Sequence, residues 1–135
     1  SETAYQTAKE VLKKYPEVKG ILGTSSFDAP GTARAIDELG LKGKVFTAGT
    51  GLPNANKQIL QDGSVASLTL WDPADAGYAM ASLATKILNG EKIADGVNLG
   101  VTGYENMHFS PGSTKVLEGN GWIQINKDNV DSFGF

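Results

Sequence analysis

The 135-residue sequence contains no cysteine and a single histidine. Without thiols it can form neither a disulfide framework nor a thiolate nucleophile, and its compartment stays open on that ground. The one imidazole, His108 in YENMHFSPG, has no second imidazole or thiolate to complete a zinc set, so no metal is expected. His108 reads instead as a partly buried turn residue. No apolar run approaches the ~20 residues that cross a bilayer. No signal peptide is visible, so any export signal was removed or was never present. No basic cluster stands out to meet a phosphate backbone, which argues against a nucleic-acid partner. There is no G-x-S-x-G elbow either, and Ser25 and Ser26 are left without an obvious base.

What is present is ordinary for a soluble protein: 40% hydrophobic residues, 20% charged residues and a formal net charge of −3. The length suits one domain with a real core. Lysines and acids alternate along KEVLKKYPEVK and LNGEKIAD, which reads as a solvated face. Asp95 and Glu105 are expected to be solvated as well.

Helical and strand patterns alternate as far as Gly90. SETAYQTAKEVLKKYP carries Ala4, Ala8, Val11, Leu12 and Tyr15 on one helical face, with Ser1 as a cap and Pro16 as the stop. KGILGTS reads as a short buried strand. A second helix starts near Pro30, turns Ala33, Ile36 and Leu39 inward and ends at Gly40. The strand KVFTAG, the helix NANKQILQDG closed by Gly63, and the strand VASLTLW follow. The longest helix, ADAGYAMASLATKILNG, has Met80, Leu83, Ala84, Ile87 and Leu88 on its apolar side and Gly90 after it. Such alternation predicts an α/β three-layer sandwich, with a mainly parallel sheet and helices on both faces joined by right-handed crossovers. The last third cannot continue that repeat. It reads as short strands and turns, including GVNLG and GWIQIN, before an exposed polar segment, NKDNVDSF.

In an open α/β sheet, ligands sit outside the carboxyl ends of the strands. Three loops qualify: 23–32, 48–54 and 70–77. The stretch VFTAGTGLPNANKQIL looks at first like a phosphate loop, but Leu52 and Pro53 stand where a Walker loop needs Lys and Ser/Thr. The third glycine of a dinucleotide fingerprint is missing, and Pro53 removes an amide that would cradle phosphate. No nucleotide and no other cofactor is expected. Asp72 and Asp75 are more simply loop and N-cap carboxylates than an acid/base pair, and no catalytic group is assigned. The remaining set suits a hydroxyl-rich ligand. Carbohydrate recognition needs acceptors for hydroxyls and flat aromatic faces for the C–H side of the ring, and Trp71 followed by Asp72 provides one of each. The other reading of Trp71, a core residue closing the sheet edge, stays open. Trp122 lacks a neighbouring acid and alternates with Ile123 and Ile125, so it is assigned to structure.

The segments YPEVKGILGTSSFDAPGTARAIDELG, AGTGLPN, GSVASLTLWDPADAGYAMASLATKILNG and GNGWIQINKDNVDSFGF resemble the C-terminal half of periplasmic sugar-binding proteins of ABC importers. The autoinducer 2 and rhamnose-type binders are the most similar of these. The likeness runs over essentially the whole chain, and LWD…G and the NKDNVDSF type of ending are its most specific parts. It implies a type I periplasmic binding fold, with two α/β lobes joined by three crossovers and closing on a ligand. Residues 1–135 would form a single ligand-binding lobe, the C-terminal one, with 75–135 including the crossover toward a missing N-terminal lobe; the long helix would belong to that lobe's side. The chain would then be a fragment, or one half of a split protein.

The resemblance also places residues. In FDAPGT it puts Pro30 and Thr32 at the cleft, with Ser26, Phe27 and Asp28 beside them and Thr50 and Gly51 in the second loop. Ser26 and Gly51 fall where many sugar binders carry Asp, which favours a smaller or differently oriented polyol over ribose or galactose. Trp71 matches the tryptophan of the autoinducer 2 type, with Asp72 next to it. Asp28 is a candidate acceptor, although helix capping explains it as well. Arg34 is expected to point to solvent. The implied function is non-enzymatic: the substrate-binding component of an ABC transporter for a sugar or autoinducer 2-like polyol, working by lobe closure with an ABC permease. The implied location is the periplasm, or the cell surface as a lipoprotein in a Gram-positive organism. The fragment could form a homodimer. The alternatives are the effector-sensing domain of a LacI-type regulator and, in an enzymatic class, a small nucleotide-binding domain.

Overall fold

A computed structural model describes residues 2–135, so Ser1 and its expected capping role lie outside the described residues. The elements in order are α1 (Glu2–Lys14), β1 (Gly20–Leu22), α2 (Asp28–Glu38), β2 (Phe46–Thr50), α3 (Pro53–Gln61), β3 (Ser67–Trp71), α4 (Pro73–Leu88), β4 (His108–Phe109), β5 (Leu117–Glu118) and β6 (Trp122–Ile125), then a 3-10 turn at Val130–Ser132. One sheet has the order β1-β2-β3-β6. β1 and β2 pair in parallel with Ile21 opposite Thr47, and β2 and β3 pair in parallel with Thr50 opposite Thr69. This is the expected α/β class with a mainly parallel sheet. The chain divides into two compact units, residues up to Leu70 with Gln124–Phe135, and Trp71–Ile123.

In the first unit, α1 buries Tyr5, Ala8 and Leu12, spaced three and four apart, against Ala35, Ile36 and Val45. The expected face differs at its ends: Tyr5, next to half-buried Ala4, is buried, whereas Tyr15 is 43% exposed. Tyr15 already follows the last helical residue, and Pro16 disfavours helical backbone at the residue before it. Arg34 is exposed on α2, as expected. Its guanidinium lies 3.9 Å from the centre of the Tyr5 ring and its Nη1 is 2.9 Å from Glu2. α2 buries mostly small side chains, including Ala29, Gly31, Ala33 and Ala35, which lets it lie close to α1. It starts at Asp28, two residues before Pro30. α3 begins on Pro53, whose missing N–H is one that no helix would use.

Glycine ends the helices where the sequence indicated. Gly40 and Gly90 have φ of 65° and 76°, and the next residues, Leu41 and Glu91, donate back to Ile36 and Lys86. β1 is not the buried strand expected. It is an edge strand, paired only with β2, and Leu22 is 82% exposed. The terminal segment is polar but not wholly exposed, since Val130 is 1% exposed.

The second unit is built around Ala79, Leu99 and Met107, with Leu83, Val97, Val101, Tyr104 and Leu117 packed on them. GVNLG contributes no full strand. Val97 makes an isolated bridge with Met107, and β4 and β5 form a two-stranded hairpin. On α4 only Ala79 is buried, and Leu83 is half-buried. Met80, Ala84, Ile87 and Leu88, expected on the same inward side, are exposed. Ala79 and Leu83 lie one turn apart on one stripe; Met80, Ala84 and Leu88 are displaced around the helix by about 100° or more from one or both of them, and Ile87, one turn beyond Leu83, lies past the end of the buried cluster.

Candidate functional site

The loop after β1 is folded by its own acid. The Asp28 carboxylate accepts from the amides of Thr24 and Ser25 at 3.0 and 2.9 Å, both through Oδ2. It therefore reaches backward into the loop and does not cap the amides that follow it in α2. The Ser25 hydroxyl accepts from the Phe27 amide at 3.2 Å. Ser26 is exposed and the Phe27 ring is 64% exposed, while Pro30 is half-buried. Thr32 is 3% exposed, in the packed face of α2. With Phe27 and Asp28 it borders a groove of about 410 Å³ that runs along Thr3, Thr7 and Val11 of α1. Ser26, Pro30, Thr50 and Gly51 do not line this groove.

The loop after β2 is held by close backbone approach. A Cβ on Gly49 would stand 2.8 Å from the Gly23 carbonyl oxygen, and the Gly23 amide donates to Ala48 at 2.9 Å. Gly51 is buried. A Cβ there would meet the Asn56 amide nitrogen at 2.9 Å and Leu68 at 3.2 Å. Gly51 can therefore offer a ligand only backbone groups, and no side chain replaces the acid that the resemblance led one to look for. Asn56 is itself buried and donates to the Leu52 carbonyl at 2.9 Å, which fixes the turn into α3. The Asn54 amide, at the start of α3, donates to the Phe135 oxygen at 3.0 Å. One of the amides that a phosphate would need is thus already engaged, in agreement with the absence of a phosphate motif.

Trp71 and Asp72 begin the second unit. Along β3, Leu68 and Leu70 are buried, and the alternation puts Thr69 and Trp71 on the opposite, exposed face. Trp71 is 43% exposed, so it is not the core tryptophan of the competing reading. Asp72 is the N-cap of α4, as its position suggested. Its Oδ1 accepts from the amides of Ala74 and Asp75 at 2.7 and 3.3 Å, and Oδ2 has no hydrogen-bond partner among the described residues.

Two residues depart from the sequence reading. Trp122 is 60% exposed, and its ring lies 5.6 Å from that of Trp71 at 80°. Its alternation with Ile125 was the correct signal, but position 122 shares the outward face with Gln124, opposite buried Ile125. His108 is not a partly buried turn residue. It lies exposed on β4, with Nδ1 2.8 Å from Asp95 and Nε2 2.9 Å from the Asn106 amide. Asp95 is exposed, as expected of a solvated acid, and also accepts from the Phe109 amide at 2.7 Å. These bonds, the one from His108 first, hold the Asp95 carboxyl below its ordinary value. Among the described residues, no group of three or more His, Cys, Asp or Glu side chains could hold a metal ion.

A family model described as "periplasmic binding protein domain" matches residues 1–92. The D-allose-binding periplasmic protein of Escherichia coli (strain K12) is 35% identical over 75 residues, 55% of this chain and 24% of that protein. Among solved structures, a sugar ABC transporter protein from Actinomyces odontolyticus ATCC 17982 is 30% identical with a TM-score of 0.77, over 98% of this chain and 42% of that one. LsrB from Clostridium saccharobutylicum in complex with AI-2 has a TM-score of 0.72 at 22% identity, over 99% of this chain and 45% of that one. The chain thus spans less than half the length of each of these relatives. It belongs to the periplasmic binding protein domain family.

Proposed function

We propose that this member of the periplasmic binding protein family is the C-terminal lobe of the substrate-binding component of an ABC transporter. In this reading it takes an uncharged sugar or autoinducer 2-like polyol by closing against an N-terminal lobe, and it delivers the ligand to an ABC permease. The family is one of solute-binding proteins, and here the reading is of binding without turnover. Residues 75–135 include the crossover toward the other lobe. That lobe covers the stripe Met80, Ala84, Ile87 and Leu88, which otherwise leaves four apolar side chains in solvent. Family membership implies a location outside the cytoplasmic membrane: the periplasm or, in a Gram-positive organism, the cell surface as a lipoprotein.

The observation that carries the proposal is Trp71 with Asp72: an exposed indole followed by a carboxylate with one unengaged oxygen. An aromatic face for the C–H side of a ring, beside an acceptor for its hydroxyls, is what sugar recognition requires. Asp28, Thr50 and the backbone of Gly51 offer polar groups at the other strand ends, beside Ser26, Phe27 and Pro30. Thr32 supports the loop from within α2. The sugar-transport relatives favour this reading over the effector domain of a LacI-type regulator. Titration with D-allose, D-fucose and AI-2, followed by calorimetry and indole fluorescence, tests it. Saturable binding of at least one, weakened by Trp71→Ala with folding intact, is the expected result. No binding of any polyol, or unaltered binding by Trp71→Ala, would overturn it.

A further inference from the structure

We infer that Trp122 is a second ligand-contacting wall of the Trp71 site, and that the two indoles make a right-angled aromatic corner for the C–H faces of one small sugar-like ring. The inference rests on the sugar-binding reading above and adds to it a residue that strand periodicity had assigned to structure.

Both indoles are large apolar groups left substantially in water, at 43% and 60% exposure, while Leu70 and Ile125 on the same strands are buried. Neither therefore gains the burial that a core tryptophan would. What they do have is each other, edge to face at 5.6 Å and 80°. That arrangement fixes both ring planes and presents two perpendicular apolar surfaces. Beside them lies a hollow of about 210 Å³, whose lining includes Tyr104, Met107 and Leu117.

Two glycines make room for that hollow. A Cβ on Gly121 would stand 2.6 Å from the Tyr104 ring, and one on Gly119 would stand 2.5 Å from the Met107 sulfur. Any side chain at either position would displace the lining. The volume lies below the ~300 Å³ at which drug-sized ligand pockets begin, so the hollow admits a single ring or its substituent and not a second sugar unit. The same lining carries the Tyr104 hydroxyl and the two indole N–H groups, which suit a ligand that brings hydroxyls with its C–H faces.

The test uses the two indole N–H resonances in heteronuclear NMR, each assigned from the Trp71→Phe and Trp122→Phe variants, during titration of the chain with D-allose and D-fucose. Such shifts can be read even at millimolar affinity. The expected result is that both resonances move along one binding curve. Trp122→Ala should then raise the Kd about tenfold and Trp122→Phe by less, which corresponds to the loss of one aromatic contact. A sugar that shifts only the Trp71 resonance, or a Trp122→Phe variant whose Trp71 signal moves while a folded Trp122→Ala keeps the original Kd, overturns the corner and leaves the sugar site standing. If neither resonance moves with either sugar and calorimetry with the wider panel is also silent, the sugar reading itself falls.

Discussion

Asp28 holds Ser25: its Oδ2 accepts the Ser25 amide at 2.9 Å and the Thr24 amide at 3.0 Å, so one carboxylate oxygen shapes the whole turn between β1 and α2. The other oxygen is left for solvent or ligand. Asp28→Ala should leave two loop amides unpaired and lower stability by about 1 kcal/mol. Asp28→Asn keeps an acceptor and should lose less. Denaturant melts of both variants check this. Equal stability for Asp28→Ala and the parent would mean that the loop is held by something else.

Two glycine substitutions should move stability in opposite directions. Gly49→Ala forces a Cβ to 2.8 Å from the Gly23 carbonyl, a backbone atom that cannot swing away, and should cost about 1–3 kcal/mol. Gly77→Ala lies within α4 with no atom within 4 Å of the added Cβ, and should gain about 0.5–1 kcal/mol from the lower entropy of the unfolded chain. Thermal melts of the pair read both signs at once.

The sequence and the structure agree where the determinants are local. Pro53 opening α3, Gly40 and Gly90 ending α2 and α4, and Asp72 capping α4 all depend on backbone chemistry within a few residues. Disagreement begins where the partner is distant. His108 and Asp95 are 13 residues apart, and no spacing rule joins them. Leu22 reads as buried from composition, yet β1 has a neighbour on one side only. For Trp122 the period-2 pattern was present in the sequence, but which phase faces the core is settled by Ile125, and an indole was assumed to follow the isoleucines. The site shares this limit: Trp71 with Asp72 was legible as a dipeptide, whereas the Trp71–Trp122 corner joins positions 51 residues apart by number (71 and 122).

The β4–β5 hairpin should loosen in acid. The His108 hydrogen bond, then the Phe109 amide, lower the Asp95 pKa from its ordinary value of 3.8. A depressed carboxylate contributes stability that is fully present above the ordinary value and is lost as pH falls through the lowered one. Amide exchange at Phe109 should therefore be slow at pH 6 after correction for intrinsic rates, and should quicken below pH 4. Asp95→Asn should remove that acid limb. An acid limb of the same size in Asp95→Asn would assign the effect to another group.

The apolar stripe of α4 should make the isolated chain self-associate. Met80, Ile87 and Leu88 are 69%, 55% and 86% exposed and recur at i, i+7 and i+8 with Ala84 between them, the spacing of a helix face that needs a partner. At high concentration a second copy of the chain is the available partner, and the same helix on two molecules can pair about a two-fold axis. Replacing Met80 and Ile87 by Lys places like charges across such an interface and should return the chain to monomer. The cost to folding should be small, because neither residue contributes to the buried cluster around Ala79, Leu99 and Met107. Sedimentation velocity of both proteins across a range of concentrations decides the matter. A parent chain that stays monomeric at millimolar concentration would show that the stripe is tolerated in water, and would remove one support for a covering lobe.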